Sequence, residues 1–377
     1  MSRKPLNEQV VVICGASSGI GRETAQQFAT AGASVVVGAR SEEGLASLVR
    51  EITAADGEAF AVPADVTDYA SMQHLAAEAM QRYGRIDTWV HMAGVSVYGY
   101  FSNVTPDEFA RVIETDLIGV AHGARAALPH LQETHGGFIG VSSVLAKRSV
   151  PLQSAYCAAK HGVDGFLEAL RMELRYQKVP VTISQILPST INTTFFNKAR
   201  TKMGVKPLGL PPLYQPHVVA EAIRYVAMHP KRDFIVGGVG KSLLLLQRLS
   251  PRVTDVLIYP VAKRGQQTTE PKAADDANNL FAPIEGYNRV EGDFGKMSQP
   301  ASVLDWFDMH PVARVGVLAG ATAGVGALIY ARGTGRDADA TGDDADASHN
   351  GMDDRAAMSI ETPTDTDTAM ERMHNHE

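Results

Sequence analysis

Gln9-Val10-Val11-Val12-Ile13-Cys14-Gly15-Ala16-Ser17-Ser18-Gly19-Ile20-Gly21 decides the reading of this chain. An uninterrupted apolar run without polar alternation predicts a strand buried on both faces. Three glycines follow it, and a helical pattern begins after them. Glycine permits a tight strand-to-helix turn and a close approach of backbone to a ligand. The helix start presents unpaired N–H groups and a positive dipole end to an anion. Strand, glycine turn and helix in this order predict a pyrophosphate cradle for a dinucleotide, formed by Gly15, Ser17, Ser18, Gly19, Ile20 and Gly21. A plain tight turn is the competing reading.

Outward from this stretch, the same alternation recurs. Apolar runs rich in Val and Ile lie at Ser34–Arg40, Thr88–Gly94, Gly137–Ser143, Val181–Pro188 and Asp233–Gly237, with a more broken one at Glu58–Val66. Helical patterns lie between them. One opens with Thr105 as N-cap, Pro106 at the first helical position and Glu108 closing a capping box. Another, Tyr156 to Lys178, places Val163, Phe166, Leu167, Leu170 and Leu174 on one face. Strand–helix alternation of this length predicts an α/β fold: a Rossmann-like, doubly wound parallel sheet with helices on both faces.

The second strand runs to Val37-Gly38-Ala39-Arg40-Ser41, where the adenosine ribose of a dinucleotide would lie. An acid there would hold the 2′-hydroxyl of NAD, and an arginine accommodates a 2′-phosphate. Arg40, with Arg22 as a second cation, points to NADP(H); solvated surface charges are the alternative. Asp65 and Val66, ending the third strand, are candidates for the adenine amino group and ring, or Asp65 is a helix N-cap.

Tyr156 and Lys160 are spaced i, i+4 and share one helix face. Ser143 ends the strand before them. A phenol has a reference pKa of roughly 10, too high for efficient proton transfer near neutrality. A neighbouring ammonium stabilises the phenolate. The three side chains therefore suit proton transfer at an oxygen whose carbon exchanges a hydride with a nicotinamide.

Gly15–Gly21, the turn at Ala93-Gly94, Ser143, Tyr156-Cys157-Ala158-Ala159-Lys160 and Leu187-Pro188 together resemble the short-chain dehydrogenase/reductase family, over about Val10 to Gly240. The resemblance implies a seven-stranded parallel sheet in the order 3-2-1-4-5-6-7. It implies Tyr156 as acid–base, Ser143 as partner of the substrate oxygen and Lys160 as ribose binder. Pro188 and the backbone after it, with Thr193, would meet the nicotinamide amide. Dimers or tetramers through the helices after strands four and five are implied too. Three positions depart from the family pattern: His91-Met92 before Ala93-Gly94, Ser189 after Pro188, and Asp116 where the family has a catalytic asparagine. Aspartate adds charge beside Lys160, favouring the ammonium and opposing a Tyr156 phenolate.

The chain has 377 residues with 45% hydrophobic and 20% charged, as in ordinary globular proteins. Its net charge of −7 is uneven: residues 336–377 hold twelve acidic and three basic side chains, leaving the rest at +2. That near-neutral body excludes a nucleic-acid binder. No metal cluster is read. Cys14 and Cys157 make no disulfide framework and fit a reducing compartment. MSRKPLNEQV lacks the apolar stretch of a secretory signal, so a cytoplasmic protein is expected.

Four regions are expected: a catalytic domain over 1–240, an extension over 241–300, an apolar helix within 301–335 and an acidic disordered tail over 336–377. Ser242–Pro260 reads as an interfacial helix or one packed on the body. Lys263–Asn279 reads as a loop. Val315–Ala331 is uncharged, with glycines at 316, 320 and 324, and seventeen residues sit at the lower edge for a bilayer of roughly 30 Å. It is read as a membrane anchor or, alternatively, as a buried or oligomer-packing helix. Thr190–Pro212, with Phe195, Phe196, Met203, Leu208 and Leu210, then Leu213, and Val95–Phe101, with Tyr98, Tyr100 and Phe101, would wall an apolar substrate pocket. The activity expected is NADP(H)-dependent, with NAD(H) as second choice, on a carbonyl or alcohol. The alternative is a dinucleotide-binding sensor or scaffold without turnover.

Overall fold

The computed structural model describes residues 3–315. Seven strands form one parallel sheet: β1 (Val10–Cys14), β2 (Ser34–Ala39), β3 (Glu58–Pro63), β4 (Thr88–His91), β5 (Gly137–Val141), β6 (Thr182–Pro188) and β7 (Asp233–Val236). Their order is 3-2-1-4-5-6-7, as the resemblance implied. β1 lies at the centre, with Val11 opposite both Val35 and Thr88.

Strand side chains alternate between faces, and β1 shows why both faces are apolar. Val11 and Ile13 join a core with Phe28, Leu48 and Ile223, from α1 (Gly19–Thr30), α2 (Glu42–Ala54) and α8 (Pro216–Met228). Val10, Val12 and Cys14 point the other way. They meet Leu75, Leu131 and Leu167, from α3 (Tyr69–Tyr83), α5 (Gly119–Thr134) and α6 (Ser154–Tyr176). Each such buried side chain contributes roughly 1.5–3 kcal/mol, so the five-residue strand anchors both layers. α4 (Pro106–Ile113) has the predicted capping box of Thr105 and Glu108. It runs through a π-helical turn, Glu114–Ile118, into α5. Both cysteines are free and buried.

Two expectations about the extension are corrected. Ser242–Pro260 is two helices, α9 (Gly238–Leu249) and α10 (Pro251–Arg264), broken where Pro251 starts a new helix capped by Ser250. Lys263–Asn279 is not all loop: Gln267–Pro271 is a strand antiparallel to Val205–Pro207. Its backbone groups find partners on the body, which no local pattern announces. The extension closes with α11 (Val303–Met309), whose Asp305 is buried. Asp305 accepts from Gly237 N at 2.7 Å and from Lys241 Nζ at 2.5 Å. Residues through Val315 form one compact unit. Among the described residues no helix is long and apolar enough to cross a membrane. The anchor and tail expected beyond Val315 lie outside the described residues.

Candidate active site

The C-terminal ends of the strands open into a cavity of about 550 Å³, within the roughly 300–1,000 Å³ usual for small-molecule sites. One wall is the glycine turn. Gly15 has φ +90°, and a Cβ there would sit 2.7 Å from Ala93 N; at Gly21 a Cβ would sit 2.2 Å from the Gly15 carbonyl. Only glycine lets the β4 turn and the helix start approach this closely. Ser17, Ser18, Gly19 and Ile20 line the cavity with Arg40, Asp65, Val66, Ala93 and Gly94. Pro188 and Thr193 line it as well. This groove at a helix start fits a dinucleotide.

Two of the expected cofactor contacts are altered. Arg22 is buried and its donors are spent: Nη1 on the carbonyls of Ser17 and Gly44, Nη2 on Ser47, Nε on Glu51. It braces the glycine loop against α2, so the expectation that it meets a 2′-phosphate is corrected. Asp65 faces the cavity, but Oδ1 accepts from Thr67 N and Oγ1, and Arg111 lies 3.4 Å from Oδ2. The helix N-cap is Asp68 rather than Asp65. Arg40 does reach the cavity, tied to the carbonyls of Asn279 at 2.7 Å and Phe281 at 3.2 Å. Residues 279–294 thus cross the cofactor side, and the Arg289 carbonyl accepts from Gly19 N at 3.0 Å. A phosphate using that amide displaces this carbonyl.

Ser143, Tyr156 and Lys160 converge on the same cavity. Ser143 Oγ accepts from Leu145 N at 3.1 Å. The Tyr156 ring lies 5.3 Å from Lys160 Nζ and 5.8 Å from the Phe195 ring. Burial raises the Tyr156 pKa above the ordinary phenol value; Lys160 and Ser143 oppose this and Asp116 adds to it. Desolvation outweighs the neighbouring ammonium here. Asp116 sits in the π-helical turn, a geometry frequent at functional sites. Its Oδ1 accepts from Val95 N at 2.7 Å and its Oδ2 lies 3.1 Å from Lys160 Nζ, both groups buried. Burial pulls the Asp116 carboxyl up against Lys160 and the Val95 amide. Burial pulls Lys160 down, yet Asp116 and Tyr156 leave it above the ordinary lysine value. His91 is pushed down to about 3 by burial, then by Lys160 and His122, so it is neutral and stacks beside Phe138.

The substrate end differs in part from expectation. Val95, Tyr98, Phe195, Phe196 and Leu210 line it. Leu208 and Leu213 are buried packing residues, Met203 packs beside Phe196, and Tyr100 and Phe101 face solvent. Leu243, Ile258 and Val261, from α9 and α10, complete the wall. Gln153 also lines the cavity, held by Gln266 at 2.6 Å. No sequence pattern announced those contributions, since the two ends meet only after folding.

The profile of the short chain dehydrogenase family matches residues 9–204. An uncharacterized oxidoreductase of Bacillus subtilis, YxnA, is 37% identical over 281 residues, 74% of this chain and 79% of that protein. Dehydrogenase/reductase SDR family member 7B of Bos taurus is 34% identical over 54% of this chain and 64% of its own length. Among solved structures, a short chain dehydrogenase/reductase from Burkholderia phymatum with NAD shares the fold (TM-score 0.60, 23% identity, 66% of this chain and 96% of that one). The actinorhodin polyketide ketoreductase with NADPH has TM-score 0.55 at 28% identity, over 64% of this chain and 99% of that one. The chain belongs to the short chain dehydrogenase family. It is an oxidoreductase of that family using a nicotinamide dinucleotide.

Proposed function

We propose that this chain is an NADP(H)-preferring enzyme interconverting a carbonyl and an alcohol on an apolar substrate. The observation that carries the reading is the convergence of Ser143, Tyr156 and Lys160 on one cavity continuous with the glycine turn. The bound nicotinamide supplies or accepts the hydride. Tyr156, held protonated by burial, donates its proton to the carbonyl oxygen during reduction. Ser143 donates a hydrogen bond to the same oxygen. Lys160 stabilises the phenolate left behind and holds the nicotinamide ribose; Asp116 fixes the ammonium in place. Ala93, Gly94, Pro188 and Thr193 line the cavity where they would flank the dinucleotide, and Val66 where it would meet the adenine. Arg40, with no acid at the end of β2, supports NADP(H) over NAD(H).

Oxidation of NADPH and of NADH with a panel of apolar carbonyl compounds, wild type against Tyr156→Phe, tests this. Turnover in wild type alone supports it; NADH used better than NADPH removes the cofactor preference. Asp116, paired with Lys160 where the family has an asparagine, keeps a second reading open, a dinucleotide sensor without turnover. In that case both proteins bind NADPH and neither consumes it.

Two features of the surface extend the proposal. The shallow apolar groove between α5 and α6, with Ile118, Leu128 and Phe166, suits a homodimer or homotetramer interface; a monomer by light scattering rejects it. α9 and α10 turn Leu249, Val256 and Tyr259 to solvent at 74%, 73% and 80% exposure, among exposed Arg248, Arg252, Lys263 and Arg264. Apolar helix faces fringed by cations suit an anionic lipid surface. Ile258 and Val261 of the same α10 line the cavity, so an apolar substrate would pass from lipid to the site.

A further inference from the structure

Lys198, the last residue of the short helix α7 (Phe195–Lys198), has no part in the chemistry above. Its ammonium reaches back to the glycine turn and donates to Ser18 Oγ at 2.6 Å, on the wall of the cavity. Among the described residues no carboxylate lies within ion-pair distance of it, whereas the other buried cations of the site have one. Arg22 has Glu51 at 2.6 Å and Lys160 has Asp116 at 3.1 Å. The charge that acts on Lys198 is a second cation, Arg40; burial first, then Arg40, push the lysine down to about 8. Asp65 acts on Arg40 but is already shared with Arg111 and Thr67, and no carboxylate among the described residues reaches Lys198, so an anion placed between Lys198 and Arg40 gains from both cations.

The placement is built rather than loose. Lys272 Nζ donates to the carbonyls of Asn197 at 2.6 Å and Ala199 at 2.9 Å, clamping the end of α7. Asn279 donates its N–H to the Lys198 carbonyl at 3.0 Å, and its own carbonyl accepts from Arg40 at 2.7 Å. One extension residue therefore sets both cations. We infer that Lys198, Arg40 and Ser18 form a phosphate-binding subsite for the dinucleotide, with Lys198 delivered from the substrate-side segment. The inference rests on the nicotinamide-dinucleotide reading. It also couples the two ends of the cavity: Phe195, three residues before Lys198, lies against Tyr156, so a phosphate that grips Lys198 steadies the wall beside the phenol.

Dissociation constants for NADPH and NADH, measured by fluorescence on wild type, Lys198→Met and Lys198→Arg, test it. Removing one charge-assisted contact is expected to weaken binding about tenfold or more in Lys198→Met, with Lys198→Arg close to wild type and both melting temperatures unchanged. A loss confined to NADPH assigns the subsite to the 2′-phosphate; an equal loss for NADH assigns it to the pyrophosphate. Lys198→Met binding both nucleotides as wild type does overturns the inference while leaving the cofactor reading intact. Wild type that binds neither nucleotide overturns that reading, and the inference with it.

Discussion

The body up to Val236 and the extension after it are held by different forces. In the body, whole strands such as Val10–Cys14 are buried and the helices close over them with leucine and valine. In α9 and α10, Gly240, Leu244, Thr254 and Ala262 are the buried residues, and most of the large apolar side chains point outward. The extension is fastened to the body instead by polar contacts: Arg148 with Asp255, Lys206 with Asp293, Lys231 with the Asp308 carbonyl, and Arg40 with two carbonyls, while Lys241 ties α9 to Asp305 and Asp308 within it. The lesson is a division of labour. Hydrophobic burial holds the body together and places Ser143, Tyr156 and Lys160. The extension follows the body's shape and finishes the cavity wall.

The largest expected effect belongs to the body alone. Tyr156→Phe should lower kcat by about a thousandfold, within the usual range for a lost general acid, while the NADPH dissociation constant and the proteolysis pattern of the extension stay as in wild type. A full-rate Phe variant would end the assignment of Tyr156.

Asp116→Asn sharpens the same side of the comparison. Asp116 raises both Tyr156 and Lys160. Removing its charge lowers both, so the phenol loses its proton at lower pH. In carbonyl reduction, where the protonated phenol is required, the alkaline limb of the kcat/KM profile should move to lower pH. The lost buried ion pair should also cost on the order of 3 kcal/mol in thermal unfolding. Superimposable pH profiles would show that Asp116 does not act on the phenol.

The extension has its own weak point. Asp305→Ala deletes the acceptor for Gly237 N and a partner of Lys241. Proteolysis between residues 238 and 314 should speed up several-fold, with the body surviving as a folded fragment. Loss of the whole protein at once would mean that the two regions are one cooperative unit.

The smallest effect concerns the outward face. Leu257→Glu should reduce co-sedimentation with anionic phospholipid vesicles a few-fold and leave kcat on a water-soluble substrate unchanged. Equal binding by both proteins would sever the lipid surface from α10.

Legibility follows the same divide. The strand runs, the glycine turn, the Tyr156–Lys160 spacing and the Thr105 capping box were readable because each is a local pattern, set by the period of a helix or strand or by the steric freedom of glycine. The sheet order came with the family resemblance, carried by those same motifs. Arg22 was misjudged because its proximity to the loop in sequence says nothing of the four groups that consume its donors. The opposing pulls of Lys160 and Asp116 on Tyr156 were readable, but the desolvation that outweighs Lys160 was not, because it depends on everything packed around the side chain.

By itself, then, the sequence determined the alternating α/β body, the glycine turn and the trio Ser143, Tyr156 and Lys160 proposed to react. Tertiary structure alone decided that α10 walls the substrate end, that Asn279 and Arg289 lie over the cofactor side, and that Lys198 meets Ser18. The physical reason is range. Periodicity and backbone sterics act over a few residues and leave their mark in the local order. Contacts such as Lys198 with Ser18, 180 residues away, and Asn279 with Arg40, 239 residues away, arise only when burial of the body has fixed where each segment can go.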